Sequence, residues 1–136
     1  VDVRRAGAEV RWTPGAAPIL CAVRPHALER ILTNLLDNAR RYGDARAIDV
    51  ECEHAEKQAI IRVLDRGPGI PETERDAVFR PFHRLEPARS AAGGGSGLGL
   101  AIALQLADAN HWQITLDARP GGGTVASVRI GCKTPA

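Results

Sequence analysis

Residues 93–103 read GGGSGLGLAIA, with glycine at five of the first seven places and a dense apolar run behind them. Glycine loses more backbone freedom on folding than any other residue, so a cluster of it is costly unless the backbone has a task. A loop that brings its own N–H groups close to a ligand is one such task; a plain linker is the other. The apolar run favours the first. From Leu98 to Ala109 the chain is apolar nearly all round and uncharged until Asp108, which predicts a buried helix. The glycines therefore stand at a helix start, where unpaired N–H groups and the helix dipole favour anions. No Lys-Ser/Thr follows GSGLGL, so this is not a Walker A loop, and its context does not suit a dinucleotide-binding turn.

Upstream lies a second helical signal. Leu28, Ile31, Leu32, Leu35, Leu36 and Ala39 fall on one face at helical spacing, with Pro25 placed to open the helix and Gly43 to close it. Asn34, Asn38 and Arg41 run along one border of that face, and Tyr42 lies one turn beyond Asn38. Asparagine is a poor helix former. Two of them four residues apart put two amide oxygens on one rim, which suits a hard cation such as Mg²⁺ when phosphates supply the remaining ligands. Hydrogen bonds to a neighbouring loop are the plain alternative.

Between these helices, residues 46–54 (RAIDVECEH) and 58–65 (QAIIRVLD) predict a hairpin. Asp65 ends an apolar strand, an unusual place for a carboxylate. In DRGPGI, Gly67 and Gly69 let the chain turn sharply and leave space beside it. Such a carboxylate can accept from the exocyclic amine of adenine, or it can simply terminate a strand. A short helix is expected over 72–79. Residues 80–97 carry Pro81 and Pro87 without a clear period and read as a long loop. Strands are expected at 7–12, 17–23, 112–118 and 123–131, the last two closing over RPGG. This order predicts an α+β sandwich, one mixed sheet covered by helices on one face.

Size and composition bound the reading. The 136 residues fit one domain over 1–136, and 44% hydrophobic residues are enough for a real core. A net charge of +2 is too balanced for a nucleic-acid partner or direct membrane contact. Cys21, Cys52 and Cys132 are an odd, dispersed set without a C-x-x-C pair, which reads as buried free thiols rather than a disulfide framework or zinc site. No stretch resembles a membrane span or a signal peptide. The chain neither begins with Met nor contains one, and it reads as a piece of a longer protein.

Each motif is weak alone; their order is specific. LTNLLDNARRYG (32–43), DRGPGIP (65–71), VFRPFHRL (78–85) and GGGSGLGLAIA (93–103) resemble the N box, first glycine box, F box and second glycine box of the ATP-binding catalytic domain of two-component sensor histidine kinases. The resemblance spans about residues 8–131, and the RYG after the N box is similar to osmosensor-type kinases. It implies a Bergerat-type two-layer α/β sandwich, a mixed sheet of about five strands on three helices, with a flexible ATP lid at about 80–96. It also implies that the dimerisation and phosphoacceptor domain lies outside this chain.

By that resemblance Asn38 is the main Mg²⁺ ligand with Asn34 assisting, and Arg41 touches phosphate. Tyr42 packs near adenine, Asp65 accepts from its amine, Gly67 and Gly69 make room for the base, and Ile70 packs on it. Phe79 and Phe82 hinge the lid, and Arg84, with Arg89 second, approaches the γ-phosphate. Gly95, Ser96, Gly97, Leu98 and Gly99 serve the phosphates. Arg66 replaces an Asn common in the first glycine box. The substrate is ATP with Mg²⁺, and the catalytic residues are Asn38 and Arg84. The partners are a histidine-bearing dimerisation domain and a cognate response regulator. The implied location is the cytoplasmic side of a parent anchored in the bacterial inner membrane.

Gyrase-type ATPases carry a water-activating Glu where Asn34 stands, and an amide cannot act as a general base. The remaining readings are another ATPase of the superfamily, an anti-sigma-type serine kinase, or a non-catalytic nucleotide-binding module. None of His26, His54, His83 and His111 has the setting of a phosphoacceptor. Trp12 and Trp112 are expected in the core or an interface.

Overall fold

The structure, a computed structural model, describes residues 10–13, 24–42, 46–55, 57–81 and 98–131. The chain runs through β1 (Val10–Thr13), α1 (Pro25–Tyr42), β2 (Ile48–Ala55) and β3 (Gln58–Leu64). It continues through two 3₁₀ turns (Glu72–Glu74 and Ala77–Phe79), α2 (Gly99–Ala109), β4 (Gln113–Ala118) and β5 (Thr124–Gly131). The five strands form one sheet in the order β1-β2-β3-β5-β4. β1 and β2 pair in parallel, because α1 carries the chain back between them. The other pairs are antiparallel. This is the mixed α+β sheet that the element order predicts.

Side-chain alternation gives the sheet two different faces. Ile48 and Val50 of β2, Ala59 and Val63 of β3, Ala126, Val128 and Ile130 of β5, and Ile114 and Leu116 of β4 join the core with both helices. The opposite face carries Asp49, Glu51, Arg62, Ser127 and Arg129 in register across the strands. From α1, Ile31 and Leu35 are almost wholly buried, and each contributes about 1.5–3 kcal/mol by leaving water. α1 and α2 pack against one another, and α2 also meets β4. Arg40 and Arg41 close the last turn of α1, where cations complement the helix dipole.

The second helix departs from expectation. Leu100, Ala103 and Ala107 are buried, but Gln105, Asp108 and Ala109 are exposed, so α2 is not buried all round. Its apolar composition hid an outer side that is exposed at these three residues. Its C-terminus is well made: Trp112 N–H donates to Ala107 O at 2.9 Å and His111 N–H to Asp108 O at 3.2 Å. His111 takes the left-handed position, φ 60°, in the arrangement usually filled by glycine. Trp112 turns into the core, as expected.

The short helix expected over 72–79 is instead the two 3₁₀ turns. The first buries no residue and the second only Val78, so no apolar face is available to hold a longer helix against the core. β1 falls at the C-terminal end of the 7–12 stretch, and the strand expected at 17–23 lies outside the described residues, as do Cys21 and Cys132. Cys52 is free and half-buried. Among the described residues no helix is long and apolar enough to cross a membrane.

Candidate functional site

The site is built around the end of β3. Asp65 is buried at 6% exposure, the one carboxylate among the buried described residues. Its N–H donates to Thr124 O at 3.0 Å, extending the β3–β5 ladder by one pair. Its Oδ1 accepts from Gly67 N–H at 3.0 Å and from Thr124 N–H at 3.1 Å. The first contact is a local turn in which an Asp side chain caps the backbone two residues on. The second ties the carboxylate to the start of β5. The alternation that sends Ala59 and Val63 to the helices continues to Asp65, so its side chain lies on the helix side of the sheet.

Two glycines make this approach possible. Gly123 has φ +114°, and a Cβ there would stand 2.1 Å from Asp65 O. Gly69 has φ +84°, and a Cβ there would stand 3.2 Å from Gly123 O. The turn between β4 and β5 is thus pressed onto the DRGPGI loop at a distance only glycine tolerates. Ile70 and Phe79 are partly buried against the core, which fixes the far end of the loop.

A charged cluster braces the same loop from the other face. Asp49 Oδ2 accepts from Arg66 Nη2 at 2.7 Å and from Arg119 Nη2. Arg66 Nη1 donates to Ala47 O, and Arg119 Nη1 donates to Asp65 O at 3.1 Å. Burial pushes the Asp49 carboxyl up; the hydrogen bond from Arg119, the charges of Arg66 and Arg119, and the hydrogen bond from Arg66 outweigh it and hold the group below its ordinary value.

The helix rim forms the second part. Asn34, Asn38 and Arg41 are all half-buried on α1. Gly99, at the start of α2, faces Asn34: a Cβ on Gly99 would lie 3.9 Å from Asn34 Cβ, an ordinary contact, so this glycine is not demanded by packing. Among the described residues, Asn34 Nδ2, Arg40 Nε and Arg41 Nε are buried without a hydrogen-bond partner. Buried polar atoms are nearly always paired, and of these Asn34 stands beside the start of α2.

The structure therefore brings Asn34 to Gly99 and gathers Asp65, Gly67, Gly69 and Ile70 into one loop. The side chain of Tyr42 and all of Phe82, Arg84, Arg89, Gly95, Ser96 and Gly97 lie outside the described residues, as does His83. His26, His54 and His111 are exposed. Sequence reasoning missed Asp49, Arg119, Gly123 and Thr124. RPGGGT reads locally as a hairpin turn, and only its unusual run of three glycines hints at a close approach.

Residues 23–134 match the model of the family described as histidine kinase-, DNA gyrase B-, and HSP90-like ATPase. The chain belongs to this family. Among curated relatives, the Sensor protein CutS of Streptomyces coelicolor is 40% identical over 131 residues, covering 95% of this chain and 31% of CutS. The Sensor histidine kinase YcbM of Bacillus subtilis is 37% identical over 114 residues, covering 83% of this chain and 37% of YcbM. The solved structure of a mycobacterial sensor histidine kinase, MprB, matches with TM-score 0.78 at 29% identity, covering 97% of this chain and 87% of that one. The chain thus spans about a third of the length of these two curated relatives, and its fold is that of a histidine-kinase ATPase domain.

Proposed function

We propose that this domain binds ATP with Mg²⁺ and presents the γ-phosphoryl group to a histidine on a separate dimerisation domain of a sensor kinase, which then serves a response regulator. The observation that carries the reading is the buried Asp65 carboxylate, held by Gly67 and Thr124 N–H groups on the side of the sheet where α1 presents its polar rim. In this reading Asp65 accepts from the adenine amine, Gly67 and Gly69 leave room for the base, and Ile70 and Tyr42 pack near it.

The rim suits a triphosphate carried with a hard cation. Amide oxygens are hard donors, and the orphaned amide of Asn34 can turn its oxygen outward, since the two ends of an Asn amide exchange by a flip. Asn38, assisted by Asn34, would hold Mg²⁺, which neutralises phosphate charge when bound. Arg41, from the same rim, meets phosphate. By the resemblance, Gly95, Ser96, Gly97, Leu98 and Gly99 serve the phosphates, and Arg84, with Arg89 second, approaches the γ-phosphate.

Asn34, Asn38 and Arg41 offer no general base. Asn34 is a neutral amide and cannot take a proton, so the site holds ATP while an external imidazole attacks. Alignment and charge neutralisation are most of what phosphoryl transfer asks of a protein. The parent is a sensor anchored in the bacterial inner membrane with this domain on the cytoplasmic side.

The test uses the 136-residue chain with labelled ATP, with and without a separately produced dimerisation domain. Label is expected on the dimerisation domain and not on this chain. Calorimetry is expected to show ATP binding that Mg²⁺ strengthens, and Asn38→Ala is expected to remove the Mg²⁺ dependence. Label on this chain alone, or fast steady-state ATP hydrolysis without a partner, refutes the reading.

A further inference from the structure

Asp49 lies on the sheet face away from the helices, opposite Leu64 in the β2–β3 register. It collects two guanidinium groups from different parts of the chain. Arg66 comes from the loop after β3, and Arg119 comes from the turn after β4, 70 residues on in sequence from Asp49. We propose that Asp49, Arg66 and Arg119 are positioning residues that fix the main chain of Asp65 and so set the discrimination between adenine and guanine nucleotides. This rests on the reading that Asp65 meets the purine.

The geometry separates positioning from contact. Arg119 Nη1 meets Asp65 at its carbonyl oxygen, while the carboxylate lies on the helix side of the sheet. Asp49 lies on the opposite face of the sheet from that carboxylate. Yet every polar handle of the Asp65 backbone is taken: its N–H by Thr124 O and its C=O by Arg119. Oδ1 is fixed by two further N–H groups. A residue tied at both main-chain groups and at its side chain cannot swing to suit a different partner.

Stability alone is a poor reason for the arrangement. The three side chains are 15% (Asp49), 18% (Arg119) and 31% (Arg66) exposed. Ion pairs at that depth lose part of their attraction to desolvation. Two cations on one carboxylate leave excess positive charge, with Arg46 Nη1 also close, donating to Arg66 O at 3.5 Å. What the cluster does supply is a rigid frame joining β2, the DRGPGI loop and the β4–β5 turn.

The chemical consequence is selectivity. Adenine offers a donor amine at the position where guanine offers an acceptor carbonyl. A fixed carboxylate accepts from the first and opposes the second, whereas a loosened one can retreat from the clash. Loosening the frame therefore weakens ATP binding while sparing or improving GTP binding.

The experiment titrates Mg-ATP and Mg-GTP into the full chain and into Arg119→Ala, Asp49→Asn, Asp65→Ala and the Arg119→Ala/Asp65→Ala double variant. Near-ultraviolet circular dichroism confirms that each is folded at the assay temperature. Asp49→Asn keeps the shape of the side chain and so stands beside Arg119→Ala should the latter unfold. Arg119→Ala is expected to weaken ATP about tenfold and leave GTP unchanged or tighter, with partial rescue by Arg119→Lys. In the Asp65→Ala background the same change is expected to have little further effect, because the residue it acts through is gone. An equal loss of both nucleotides, or an unchanged ATP-to-GTP ratio in folded Arg119→Ala and Asp49→Asn, overturns the proposal. If Asp65→Ala itself leaves ATP affinity intact, the nucleotide reading of the site fails, and the two failures are told apart.

Discussion

Replacing Gly123 by alanine tests the closest approach in the molecule. The added Cβ would lie 2.1 Å from Asp65 O, and real contacts of this kind start at 3.0 Å, so the two backbones must part by about 0.9 Å. The hydrogen bonds between Asp65 and Thr124, at 3.0 and 3.1 Å, cannot survive that displacement unchanged. Losing them, one to a carboxylate, costs about 1–3 kcal/mol. Holding alanine at φ +114° adds about 1–3 kcal/mol of backbone strain. The total, about 2–6 kcal/mol, is a large part of the ~5–15 kcal/mol that keeps a domain folded. For a chain of this size it corresponds to a fall in Tm of about 6–24 °C. The assay is thermal unfolding followed by circular dichroism, with ATP titration well below the variant's midpoint. A midpoint within about 2 °C of the parent's, with unaltered ATP affinity, would show that the β4–β5 turn does not press on the Asp65 loop.

Other perturbations probe separate parts. Asp65→Asn keeps an acceptor for Gly67 and Thr124 but puts a donor where the carboxylate had its second oxygen; calorimetry should show ATP affinity falling at least tenfold, about 1.4 kcal/mol, and unchanged affinity would count against base reading. The carboxyl of Asp49 is held below its ordinary value of 3.8, so the stability it contributes is complete above that pH and is lost as pH falls through the lowered value. Unfolding free energies measured from pH 6 down to pH 3 should therefore drop more steeply in the parent than in Asp49→Asn, and parallel curves would refute the assignment. Ile31→Ala removes a side chain with 0% exposure at the centre of the core; urea unfolding should show a loss of about 2–5 kcal/mol, and a loss under about 1 kcal/mol would mean that α1 is not packed as described.

Several residues of the candidate site stand out in the sequence itself. Asn34 and Asn38 stand at i, i+4 beside an apolar stripe, and Asp65 ends a β-branched run, so both announce themselves by breaking a local pattern. Elements with clear periods, α1 and the two hairpins, fall within a few residues of expectation. The segment 72–79 did not, because two short 3₁₀ turns and one irregular helix look alike when only Val78 is buried. Arg66 was visible only as a departure from a motif. Its hydrogen bond to Asp49 Oδ2 exists only in the folded sheet.

Local pattern, then, determined the helices, the hairpins, the glycine-rich helix start and the family, because periodicity and turn chemistry act over a few residues and are written in neighbouring letters. Tertiary structure alone decided that β5 lies between β3 and β4, that Gly123 presses on Asp65, and that Asp49 gathers Arg66 and Arg119. Those contacts join residues 17–70 positions apart. Their energy depends on distances of a few ångströms set by the packed sheet, and no spacing along the chain encodes them.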